Sequence, residues 1–179
     1  MAIYIKFDGI DGEVTDVGFE NNIEVLSFSW GMTNEGSRFG GGGGSGRVNV
    51  QDFNFTKHTD KSSPVLMLKC ATGQHIKKAV LFVRKQGSED GLQTAAIEGQ
   101  SAVGGTTQPE VGLQLNLYDV MVSGFVIKGE QKVDNDWPSE SLSLNFTRVE
   151  FIERYQKIDS GGLSEPITGT WDIKTNKIG

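Results

Sequence analysis

Gly41, Gly43 and Gly46 satisfy G-x-G-x-x-G, the spacing that lets a backbone turn cradle a pyrophosphate. That chemistry needs a helix N-terminus directly afterwards to receive the phosphate charge, and the alternation from Val48 onward predicts a strand. The same stretch comes close to a phosphate loop. Arg47 stands where lysine is required, and Val48 where a hydroxyl would hold magnesium. Cys70 and His75 could form a nucleophile–base pair, but Cys70 falls on the apolar side of a predicted helix, where a thiol is inert packing. The two histidines, His58 and His75, have no second cysteine with which to build a zinc site. Asp52, Asp60, Glu150 and Glu153 supply carboxylates without a spacing that singles out an acid–base pair. Asn54-Phe55-Thr56 and Asn145-Phe146-Thr147 match glycosylation acceptors, yet both fall in predicted strands and no signal peptide precedes them. These residues predict no catalytic site, no cofactor and no metal, so the chain is not expected to be an enzyme.

The bulk properties agree with a non-catalytic role. The 179 residues suffice for one domain burying roughly two-thirds of its unfolded surface. One cysteine permits no internal disulfide and suits a reducing compartment. A net charge of −6 repels phosphate backbones, which argues against nucleic acid as a partner. No apolar run approaches the roughly 20 residues that span a bilayer, so no membrane insertion is expected. Twenty-four glycines against four prolines favour strands and loops.

The elements that would position these side chains are mostly strands. Ile3, Ile5 and Phe7 alternate with polar neighbours. Ile23 to Trp30 alternates again, which predicts Leu26, Phe28 and Trp30 toward a core and Ser27, Ser29 and Gly31 away from it. Thr33 to Gly46 contains five consecutive glycines and predicts a loop between strands. The parity changes between Val50 and Phe53, and again between Phe146 and Val149, predict β-bulges. Asp60 to Pro64 offers a serine N-cap with proline at the first helical position, and Gly73 a C-terminal stop, so one helix is expected over about Ser63–Thr72. Leu66 with Cys70, and Met67 with Ala71, should form its apolar side. Ala79 to Val83 reads as a central strand, Leu113 to Ile127 as a bent one, and Trp171 with Ile173 as the last. Ser88 to Glu110 is a long polar, glycine-rich connection. The fold class predicted is mainly β: an antiparallel barrel or two-sheet sandwich with one flanking helix.

At Asn49 the residues acquire a family likeness. Asn49-Val50-Gln51-Asp52-Phe53-Asn54-Phe55-Thr56-Lys57 runs into Asp60-Lys61-Ser62-Ser63-Pro64, then Cys70, Gly73, His75 and Val80 to Gly87. With Glu24 to Met32, Ser141 to Phe146 and Gly169 to Ile173, this order and spacing resembles the Hcp family, the haemolysin-coregulated tube proteins of type VI secretion. The resemblance implies a single domain over residues 1–179. It implies homo-hexameric rings that stack into a tube, sheath and spike proteins as partners, and effector proteins carried in the lumen. It also implies assembly in the bacterial cytoplasm and secretion without a signal peptide, and no toxin domain is expected beyond Gly179. By the same resemblance, the loop with Phe39, Gly40, Gly41, Gly42, Gly43, Gly44 and Ser45 would contact the next ring, and Ser27 and Ser29 would face the lumen. The departure is residues 88–110, longer than the short turn expected there. A phage-like contractile tail-tube protein and a stand-alone ligand-binding barrel are the alternatives.

Overall fold

The computed structural model describes residues 1–34, 48–84, 111–129, 137–155 and 164–178. Twelve strands and one helix occur in them: β1 (Ala2–Phe7), β2 (Ile23–Glu24), β3 (Ser27–Ser29), β4 (Met32–Asn34), β5 (Val48–Val50), β6 (Phe53–His58), α1 (Ser63–Thr72), β7 (Ile76–Arg84), β8 (Val111–Lys128), β9 (Ser139–Asn145), β10 (Arg148–Glu153), β11 (Ile167–Asp172) and β12 (Lys177–Ile178). All pairings are antiparallel, as expected. The first sheet runs β12-β11-β10-β8-β7-β1-β2 and the second β3-β6-β9-β8, while β4 and β5 form a separate ribbon. β8 belongs to both sheets. Its first half pairs with β7 and β10, and Met121 to Lys128 pair with β9. The change of sheet falls where Asp119 takes a left-handed φ of 53° and where the register shifts between Val122 and Gly124. Such irregularities are how a strand bends out of one sheet into another.

The core lies between the sheets. Ile5, Leu81 and Leu117 from the first meet Phe53, Phe55, Leu142 and Leu144 from the second, each at most 2% exposed. Burying one such side chain stabilises the fold by roughly 1.5–3 kcal/mol. β7 is the central strand predicted: Ala79 to Val83 are buried on both faces. The second face of the first sheet has its own small cover, residues 11–22. Phe19 stacks on Tyr4 with centroids 4.5 Å apart and meets Phe82 edge-on at 5.6 Å. Gly12 has no room for a Cβ, which would lie 2.2 Å from the Asn22 carbonyl oxygen, so only glycine lets this cover close.

Four sequence expectations need correction. Leu26 is 45% exposed, not in the core, because the chain changes sheets beside it. Val25 still donates its N–H to Ile3, while Leu26 donates to Thr56 of the other sheet. Ile23 and Val25 therefore point inward on one parity, and Phe28 and Trp30 pack on the core on the other. The slip near Gln51 is likewise a change of partner, from β4 to β3 and β9, and the slip after Phe146 separates β9 from β10. Neither is a bulge within one strand. Met67 and Ala71 face solvent, since Leu66 and Cys70 turn the other side of α1 to the core. Finally, the helix begins at Ser63, so Pro64 is its second residue and not its first, and Ser62, the N-cap residue, makes no side-chain cap; Asp60 Oδ1 accepts the Ser62 N–H at 2.9 Å instead.

Candidate functional site

The outward face of the second sheet is built by simple alternation. With Phe53 and Phe55 inward, Asn54, Thr56 and His58 must point out; with Leu142 and Leu144 inward, Ser141, Ser143 and Asn145 do. Register sets Ser27 beside Thr56, Ser29 beside Asn54, and Asn54 beside Ser143. Gly124 lies under Ser143, where a Cβ would come within 3.2 Å of that side chain. The face is thus paved mostly with small hydroxyls and amides, with Val126 beside Ser141 and Met121 beside Asn145 as its apolar members.

These groups mostly satisfy one another. Ser27 Oγ and Thr56 Oγ1 share a hydrogen bond at 2.7 Å, and Ser143 Oγ donates to Asn54 Oδ1 at 2.6 Å. Asp52, at the margin, accepts from Asn145 Nδ2 at 3.0 Å and from Ser123 Oγ at 2.5 Å. Cross-strand hydroxyl pairs of this kind hold neighbouring strands in register. Charge is confined to the borders, at Asp52 and at Lys128 opposite Ser139. Ser27 and Ser29, the residues singled out from the sequence, are exposed on this face. Asn54, Thr56, Ser141 and Ser143 share it, and the same alternation would have found them.

Directly behind that face sits a buried ionic cluster that the sequence reading missed. Lys57 shares the inward parity of Phe53 and Phe55, and Glu140 that of Leu142 and Leu144, which was the available signal. Lys57 Nζ donates to the His58 carbonyl at 2.8 Å, Asp60 Oδ1 at 2.8 Å and Ser63 Oγ at 3.0 Å. That uses all three of its protons. Glu140 Oε2 is 3.1 Å from the same nitrogen without hydrogen-bond geometry, so Coulomb attraction alone joins them. Both side chains are 0% exposed. The cluster ties the start of α1 to β6 and β9, and only Asp60, 12% exposed, reaches solvent.

The other titratable candidates are dispersed. His75 Nδ1 is bonded to Asp119 Oδ1 at 2.6 Å, and Cys70 packs half-buried on the core, so the nucleophile pair does not form. The His75 hydrogen bond, then that from Lys174, lowers the pKa of Asp119 below the ordinary 3.8. Glu150 accepts from Asn116 Nδ2 at 2.7 Å and from the Tyr118 hydroxyl at 3.1 Å on the first sheet. Burial, then the charge of Glu150, raises the Tyr118 pKa. Asp52, Asp60 and Glu150 thus serve three separate networks. No group of three metal-ligating side chains converges among the described residues. Gly41, Gly43, Gly46 and Arg47, the loop from Phe39 to Ser45, and residues 88–110 lie outside the described residues. Val48 does open a strand, as the argument against a nucleotide loop requires.

Sequence and structure comparisons agree on the family. The profile described as "Type VI secretion system effector, Hcp" matches residues 4–152. The chain belongs to the Hcp family. Protein hcp1 of Pseudomonas aeruginosa is 35% identical over 177 residues, covering 98% of this chain and 97% of that protein. The crystal structure of Hcp1 from Salmonella typhimurium superposes with a TM-score of 0.71 at 29% identity, covering 99% of this chain and 97% of that one. A structure described as a type six secretion system protein reaches 0.80 at 25% identity, covering 99% of each chain. As an Hcp protein, the chain is placed among type VI secretion components by family and by fold together.

Proposed function

We propose that this Hcp protein is a structural subunit of the type VI secretion tube, closing into hexameric rings that stack and carry effectors in the lumen. The observation that carries this reading is the second sheet. Its outward face is mostly polar, nearly uncharged and internally hydrogen-bonded. Among the described residues, no strand pairs with the outer side of β3 or with the far side of Met121 to Lys128. A sheet with two open edges invites side-by-side association, and a head-to-tail contact that closes makes a ring. Four strands at about 4.8 Å spacing give each copy about 19 Å of arc. Six copies enclose a hole about 37 Å across, wide enough for a small folded domain.

On this reading Ser27 and Ser29 line the lumen, and the loop from Phe39 to Ser45 reaches the adjacent ring. Sheath and spike proteins act on the assembled tube, and the chain works as one unit over residues 1–179. Assembly takes place in the bacterial cytoplasm, and export follows through the machine itself. The protein catalyses nothing. Light scattering with negative-stain microscopy of the purified protein should give six-fold rings with a hole of that size; single chains at micromolar concentration would instead support a stand-alone barrel. Ser27→Glu with Ser29→Glu should keep the rings and reduce effector co-purification. Deleting Gly40 to Gly44 should leave rings intact and shorten the stacks.

A further inference from the structure

Hydrogen bonds between neighbours occupy most of the polar groups on the outward face of the second sheet. Ser27 and Thr56 share one at 2.7 Å, Ser143 donates to Asn54 at 2.6 Å, and Asn145 donates to Asp52 at 3.0 Å. A partner that engaged these groups would exchange one hydrogen bond for another, with a small net gain. Apolar surface left in water is different, because covering it is favourable in itself.

Val126 supplies that surface. It is 51% exposed. Register sets it opposite Ser141, Ser141 opposite Thr56, and Thr56 opposite Ser27. Residues directly opposite in an antiparallel ladder share a face, so Val126 stands on the same face as Ser27. Its row crosses all four strands without a charged member. Asp52 precedes β6, and Lys128 ends β8, two positions beyond Val126 and about 7 Å along the strand. Met121, the other apolar member, is half-buried at the Asp52 end. Edge-to-edge pairing of copies uses backbone groups and leaves the Val126 side chain on the face. Six copies then set six of these side chains about 19 Å apart around the hole.

We propose that Val126 is the principal cargo contact of the lumen, and that the carried effector presents an uncharged apolar patch to it. This rests on the ring reading above and adds the chemistry of what the ring carries. Each contact is small, so cargo is held at several points and can still leave. Because apolar area and not charge supplies the hold, salt should not release it.

The test uses assembled protein and a small helical-bundle probe with a leucine patch on one side, beside versions with serine or glutamate in its place. Retention is read as co-elution with the rings at low and high sodium chloride. The leucine probe should be retained at both, and the other two released. Val126→Ser should weaken retention of the leucine probe about five-fold, and Ser143→Ala should change it less than about two-fold. Val126→Leu should strengthen it. Rings that hold all three probes alike, or Val126→Ser rings that hold the leucine probe as well as unmodified rings do, would overturn the proposal and leave the ring reading standing. Retention of the glutamate probe that disappears at high salt would do the same, since Lys128 would then be the contact. Unmodified protein that runs as single chains would overturn the ring reading and this contact with it. If Val126→Ser fails to assemble, Val126→Leu decides the matter, and unchanged retention there counts against the proposal.

Discussion

The two sheets of this Hcp protein treat their outward faces in opposite ways. The first sheet carries Tyr4, Val80 and Phe82 on that face and closes over them with residues 11–22, Phe19 at the centre. The second carries Ser27, Asn54, Thr56, Ser141 and Ser143 and stays open. The backbone ladder is the same in both; side-chain size and polarity decide the difference. Large apolar groups need a cover to escape water, whereas small hydroxyls that bond across strands are already satisfied. A face left open and neutral is suited to meeting something large without gripping it.

Stability measurements should break or sharpen that contrast. Phe19→Ala removes the centre of the cover and should cost about 4 kcal/mol, read from urea unfolding. Lys57→Met, on the inner side of the open sheet, strands the Glu140 carboxylate away from water and should cost about 3 kcal/mol. Asp60, 12% exposed, can regain solvent, which keeps the figure near the low end. Adding Glu140→Leu should recover most of the loss; no recovery would mean that packing, not charge, governs the cluster. Thr56→Ala on the open face should cost under about 1.5 kcal/mol. A loss as large as that of Phe19→Ala would end the comparison.

A titration probes the covered face more finely. Burial first, then the hydrogen bond to Asp16, pushes the Tyr4 phenol from 10.0 up to about 12. A folded pKa above the unfolded one means that this contribution is fully present below pH 10 and disappears as pH rises through about 12. Tyrosinate absorbance should show the late ionisation in the native protein, and Phe19→Ala should bring it back toward 10.0. Retention of the high value would separate the Asp16 bond from the cover as its cause. The exposed Asp119 gives the smallest signal. Its carboxylate should titrate below 3.8 by nuclear magnetic resonance and move upward in His75→Ala. The contribution of that lowered group is present above 3.8 and is lost as pH falls through the folded value.

Much of this was legible in the chain. Pro64 and Gly73 bracket α1 at the ends observed, and the alternation of Leu142, Leu144 and Phe146 identifies inward positions correctly. Ser27 and Ser29 were readable as outward for the same reason. Periodicity fails where a strand changes partners, because parity is defined within one sheet; Leu26 and the break before Phe53 are both such places. It also fails for β12, whose two residues pair with Trp171 and Asp172 but are too few to show a pattern. On α1, apolar spacing identified a helix with an apolar side, yet both sides are apolar. Only the fold distinguishes Leu66, at 0% exposure, from Leu68.

β8 has a mechanical consequence. Its eighteen residues run unbroken through both sheets. In an antiparallel ladder the hydrogen bonds lie across the strands, so a pull along β8 loads many of them together and does not open them one by one. A subunit pushed lengthwise would therefore resist as a rope clamped along its whole length. Force along any other direction could peel strands from an edge, starting at the two residues of β12.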